Sequence, residues 1–214
     1  FGVVQRSGLW QKGEQIHPHI LIMSATPIPR TLAMTLYGDL DISVIDELPP
    51  GRKPIDTFHH TEDRMYEVYA FMRKEIAAGH QCYVVCPLVE ESASADLQAA
   101  TALYESLKST DFADISCGLV HGRMSGKEKD EVMERFQKSD IKLLVATSVI
   151  EVGVNVPNAT IMYIDGAERF GLAQLHQLRG RVGRGRERAY AYFLYPTDKS
   201  LGAGLLHFTG KEWE

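Results

Sequence analysis

The 214-residue sequence predicts an α/β fold with a mostly parallel sheet covered by helices on both faces. Three observations predict it. Short apolar runs alternate with segments of helical period along almost the whole chain, several of those segments carry start and stop signals, and 44% of the residues are hydrophobic, enough for a proper core.

The predicted strands are residues 20–23, 42–45, 82–86, 116–120, 142–146, 160–164 and 189–194. Between 45 and 82, a helix over 62–78 places Met65, Val68, Tyr69, Met72 and Ile76 on one face; Glu62 and Asp63 lie in its first turn and Gly79 at its stop. Leu97, Ala100, Tyr104 and Leu107 form a second stripe. A third helix opens with Ser125-Gly126-Lys127-Glu128, in which hydroxyl and carboxylate each satisfy a free amide, and buries Val132, Met133 and Phe136. Three prolines and a glycine in residues 48–54 cannot continue a helix or sit in a central strand, so this stretch reads as a linker. On that basis residues 1–47 end one α/β domain, 55–197 form a complete second one, and 198–214 are a tail. Phe1 stands inside an ordinary segment, so the sequence is expected to be a piece of a longer one.

Charge narrows the function. The chain is acidic, with 23 Lys+Arg against 28 Asp+Glu, yet five arginines, Arg179, Arg181, Arg184, Arg186 and Arg188, fall within ten positions, spaced by Gly180, Gly183 and Gly185. Planar guanidinium forks suit phosphate or carboxylate, which points to an anionic partner. The odd set Cys82, Cys86 and Cys117 shows no CxxC spacing and no disulfide framework, in keeping with a reducing, cytoplasmic setting. No apolar run approaches the roughly 20 residues of a membrane span. His17, His19, His59 and His60 lack nearby acidic or thiol ligands and read as surface, leaving no metal site.

Ligands of an open parallel sheet gather where strands run into helices. Four such stretches are phosphate-compatible: Ser24-Ala25-Thr26-Pro27, His121-Gly122-Arg123-Met124, Thr147-Ser148 with the following segment to Pro157, and the arginine cluster. All four are expected to open on one edge of the sheet. There is no GxxxxGK[ST] loop and no strand-end pair of carboxylates for Mg²⁺, so the main cradle of any nucleotide is expected outside this sequence.

The stretch from Ser24 to Thr31, the segment from Thr147 to Pro157 and Gln177-Leu-Arg-Gly-Arg-Val-Gly-Arg184 resemble motifs III, V and VI of superfamily 2 helicases. Together with Asp46 to Pro54, Tyr83 to Ser92 and Phe170 to Gln177, they are similar to the bacterial RecG family of ATP-dependent DNA helicases, as far as about Lys199. The resemblance implies the second RecA-like lobe of the P-loop NTPase type, a three-layer sandwich, with the end of the first lobe before the linker. It implies ATP and Mg²⁺ held mainly by the first lobe, an N-terminal wedge domain in the same intact chain, and branched or double-stranded DNA as partner, with no membrane. Arg181 and Arg184 would stabilise charge on the γ-phosphate with Gln177 orienting the same face; Gly153 and Asn155 would lie near ribose and phosphates. Asn155 stands where such families usually have Asp; an amide can still hydrogen-bond a ribose hydroxyl. Ser24 and Thr26 would couple the acidic box to DNA, and His121, Gly122, Arg123, Thr147 and Ser148 would hold the DNA backbone. Rival expectations are the motor lobe of a transcription-repair coupling factor and a non-catalytic nucleic-acid-binding module.

Overall fold

The computed structural model describes residues 52–87, 93–147 and 155–197, with four isolated positions at 21, 23, 43 and 45. The chain divides into two compact units, Phe1–Ile42 and Ser43–Glu214, and every described element lies in the second. Apart from those four positions, the predicted strands 20–23 and 42–45 lie outside the described residues, as do most of the 48–54 linker, the tail, Ser24, Thr26, Ser148 and Gly153.

The elements are β1 (Ile55–Thr61), α1 (Met65–Ala77), β2 (Gln81–Cys86), α2 (Ala93–Ser109), β3 (Cys117–Val120), α3 (Gly126–Gln137), β4 (Leu143–Thr147), β5 (Ala159–Ile164), α4 (Leu172–Arg179) and β6 (Ala189–Tyr195). One six-stranded sheet runs in the order β1-β6-β5-β2-β4-β3, and every pairing is parallel. The central strands β2, β4 and β5 are buried at every position because both their faces are covered.

Alternate side chains divide the core into two layers. Cys82, Val84 and Cys86 of β2 point into the layer built with Val68, Tyr69, Met72 and Ile76 of α1 and with Ala100 and Leu107 of α2. Tyr83 and Val85 point into the other, with Phe136 of α3 and Leu175 and Leu178 of α4. The order of travel explains the assignment. From β1 to β3 the chain moves one way across the sheet with α1 and α2 on one face; from β3 back to β6 it moves the other way with α3 and α4 opposite, as right-handed crossovers require.

The expected helix signals have physical counterparts. Gly79 closes α1 at φ +100, a left-handed conformation that a side chain resists. Ser125 accepts from the Glu128 amide at 3.3 Å while the Glu128 carboxylate accepts from the Ser125 amide at 2.7 Å, starting α3. Val132 and Met133 are half-buried against the core that Phe136 enters completely.

Two elements go beyond the expected set. The first is β1, an edge strand whose IDTFHHT sequence is mostly polar and is held instead by pairing with β6 and by Phe58 stacking on Tyr192, ring centres 5.3 Å apart. The second is α4, which is short and carries Leu172, Leu175 and Leu178 among polar residues. A buried glutamine also escaped the sequence reading. Gln81 donates to the Phe136 and Ile141 carbonyls and accepts from Ser139 at 3.1 Å and Asn158 at 3.4 Å, so one amide ties together the beginnings of β2 and β5 and the turn into β4.

Candidate functional site

All six strands point the same way, so the sheet has an amino edge and a carboxyl edge, and each helix returns the chain from the second to the first. The loop after β3, with His121, Gly122 and Arg123, and the end of β4, with Thr147, share the carboxyl edge: Val120 pairs with Ala146, so His121 and Thr147 follow side by side. The expectation that the arginine cluster opens on that same edge is corrected. Helix α4, which ends on Arg179, lies between β5 and the rest of the arginine cluster and returns the chain to the amino edge. There a Cβ on Gly183 would stand 3.0 Å from Ile55 Cγ1, at the start of β1, and one on Gly185 would stand 2.5 Å from the carbonyl oxygen of Pro157, just before β5.

At the amino edge the five arginines divide by what they touch. Arg188 bonds the Asp56 carboxylate, and Arg179 donates to Thr57 Oγ1 at 3.4 Å, so both stitch the loop to β1. Burial, with the nearby Arg52 as second cause, lowers the pKa of Arg179. Arg186 is exposed. Arg181 and Arg184 are half-buried, and the charges of both oppose the burial that pushes the Tyr83 hydroxyl up to about 12, which places them together on the α3–α4 side. Arg184 donates through Nε to the Gly180 carbonyl at 3.2 Å, and it forms no ion pair with a described acid. Gln177 is half-buried on the last turn of α4, and Asn155 is exposed two residues before the Pro157 that meets Gly185. The structure therefore gathers Asn155, Gln177, Arg181 and Arg184 toward one edge. Helix C-termini point there, and their partial negative charge repels anions, so attraction for phosphate must come from side chains.

The carboxyl edge works by other means. Thr147 is 1% exposed, and its hydroxyl has no hydrogen-bond partner among the described residues; neither has the buried Nδ1 of His121. An orphaned buried polar atom costs about 1–3 kcal/mol, and these two lie side by side at the ends of β3 and β4. Gly122 and Arg123 beside them are exposed, and α3 begins just beyond with its amide dipoles directed at the same edge. Lys129 Nζ holds the Gly122 carbonyl at 3.2 Å and adds positive charge, while Glu128 is engaged in the cap.

Acid occupies the other half of this edge. Asp165, directly after β5, has its carboxyl pushed up to about 6 by burial first and then by Glu62 and Glu168; its amide donates to the Val85 carbonyl at 2.9 Å. Negative charge is thus gathered on the β5–β1 side of this edge, away from the ends of β3 and β4. Asp165 was missed in the sequence, where a single carboxylate after an apolar run carries no special signal. Among the described residues no group of His, Cys, Asp or Glu could hold a metal, and Cys82 and Cys86 are free, buried thiols.

Comparison with known proteins places this geometry. The family model described as "Helicase conserved C-terminal domain" matches residues 61–186, more than half of the chain. The ATP-dependent DNA helicase RecG of Escherichia coli K12 is 55% identical over 208 residues, which is 96% of this chain and 30% of that protein. A structure of RecG bound to a three-way DNA junction superposes with a TM-score of 0.74 at 43% identity, covering 94% of this chain and 27% of that one. The chain thus spans less than a third of the length of these relatives. Saccharomyces cerevisiae Dbp5 L327V bound to RNA and ADP BeF3, at 17% identity and a TM-score of 0.62 over 87% of this chain and 48% of its own, shares the fold. The parallel six-stranded sheet with helices on both faces is accordingly a RecA-like lobe, and the chain belongs to the helicase conserved C-terminal domain family.

Proposed function

We propose that this chain is the second motor lobe of an ATP-dependent DNA helicase that remodels branched DNA. The observation that carries the reading is the separation of two chemistries on one rigid sheet: paired, half-buried arginines toward the amino edge, orphaned buried polar atoms on the carboxyl edge. A lobe so built can touch a nucleotide with one edge and a DNA backbone with the other. Arg181 and Arg184 would meet the γ-phosphoryl of ATP held by a first lobe, with Gln177 aligning that face; such guanidinium groups contribute about 10³ to 10⁵ in rate to phosphoryl transfer. Asn155 and Gly153 would approach the ribose. His121, Gly122, Arg123, Thr147 and Ser148 would take DNA phosphates, contacts that hold position without reading sequence. Ser24 and Thr26 would relay between the acidic box and DNA.

Several partners follow. Residues 1–47 would complete the first lobe, residues 48–54 would link the two, and an N-terminal wedge domain would engage the junction. Mg²⁺ would arrive with ATP on the first lobe, and the enzyme would act in the cytoplasm; among the described residues no helix is long and apolar enough to cross a membrane. The RecG relatives favour this assignment over a transcription-repair coupling factor, and the presence of Gln177, Arg181 and Arg184 together favours a working motor over a binding module.

The test is ATP turnover by the full-length protein with and without a three-way junction, beside the same assay on this chain alone. Turnover stimulated by the junction in the full-length protein, none in the chain, and no micromolar ATP affinity of the chain by calorimetry are expected. Hydrolysis by the chain itself would overturn the division of labour.

A further inference from the structure

We propose that Arg52 is a positioning residue for Arg181 and Arg184, fixing the backbone between them by holding the Gly183 carbonyl; this rests on the nucleotide role given above. The Arg52 Nε donates to the Gly183 carbonyl oxygen at 3.2 Å across 131 residues of sequence. Gly183 lies between the two arginines, directly before Arg184, in a left-handed conformation, φ +68, and has no side chain with which to anchor itself. Fully buried Val182 pins one side of it. On the other side Gly185 fits against Pro157 so closely that an added Cβ would stand 2.5 Å from its carbonyl oxygen. Between those fixed points the peptide after Gly183 sets the direction in which Arg184 leaves the backbone, and Arg52 holds that peptide.

The alternative is that Arg52 only fastens the edge strand. β1 has other fastenings: its seven residues pair in register with β6, Arg188 bonds Asp56, and Arg179 reaches Thr57. Arg52 also stands close enough to Arg179 to depress its pKa, a placement unfavourable for strand stability alone. A charge-assisted bond to a carbonyl of the arginine loop gives the placement a purpose. Arg52 itself lies within the 48–54 stretch that the sequence reads as a linker.

The experiment is a double-mutant cycle on ATP turnover in the full-length protein, with thermal melting of each variant. Arg52→Met keeps the aliphatic stem and removes the donor. Turnover should fall about tenfold with the KM for ATP within about twofold, the pattern of an interaction felt in the transition state. The melting midpoint should move by less than about 3 °C. In an Arg184→Lys background the same change should reduce turnover little further, because Arg52 acts chiefly through the peptide that aims Arg184. Arg52→Lys, which restores a donor and the charge, should recover most of the loss, and it decides the matter if Arg52→Met melts early. Independent losses in the cycle, or normal turnover of Arg52→Met, would overturn the inference while leaving the nucleotide reading intact. Normal turnover of Arg181→Lys alone would overturn that reading and this inference with it.

Discussion

On the proposed function, the two edges of this sheet would attract phosphate in opposite ways. At the carboxyl edge the backbone assists: helix N-termini face outward, exposed Gly122 allows close approach, and the side chains involved are half-buried His121, whose Nδ1 lacks a partner among the described residues, and buried Thr147, whose hydroxyl does too. At the amino edge the helix dipoles oppose an anion, and the chain answers with long, permanently charged side chains on a glycine-rich loop that is clamped by Ile55, Pro157 and Arg52. The first arrangement suits many weak contacts along a polymer. The second suits a few strong contacts to one phosphoryl group whose charge changes during reaction.

The sharpest way to break this comparison is Arg181→Lys in the full-length protein. It preserves charge and removes the fork, so turnover should fall at least about a hundredfold, on the order of 2.7 kcal/mol, with junction binding nearly unchanged in a filter or anisotropy assay. Loss of binding instead would place DNA at the arginine edge. A smaller effect tests the acidic half of the carboxyl edge. Asp165 has a folded pKa near 6 against an ordinary 3.8, so the folded state holds its proton more tightly; the associated stability is present below about pH 4 and lost as pH rises through 6. Asp165→Asn should therefore stabilise the chain at pH 8 by about 3 kcal/mol, and the gain should vanish near pH 4 in urea titrations. An equal gain at both pH values would mean that the carboxylate is not desolvated. The smallest effect expected is at Thr147. Thr147→Val removes an orphaned hydroxyl at nearly constant volume, so melting should be unchanged or rise by about 1 kcal/mol in stability, while junction-stimulated turnover falls about fivefold and basal turnover stays. Equal loss of both activities would make the threonine structural.

The sequence showed the central strands through their apolar runs and α1 and α3 through Gly79 and the Ser125–Glu128 cap, because those signals are local: a period, a hydroxyl three residues from a carboxylate, a glycine at a stop. β1 and α4 were missed for the converse reason, since their burial comes from partners remote in sequence. Of the candidate site, local pattern marked His121, Thr147 and the arginines. The partnerless state of the first two and the sorting of the arginines into stitching and half-buried members required the packed sheet. What the sequence by itself determined was the layered α/β architecture and the identity of the charged and hydroxyl groups available for phosphate. Only the tertiary structure decided which edge each group occupies, because an eight-residue helix between β5 and most of the arginines reverses the chain, and a reversal in space leaves no trace in spacing.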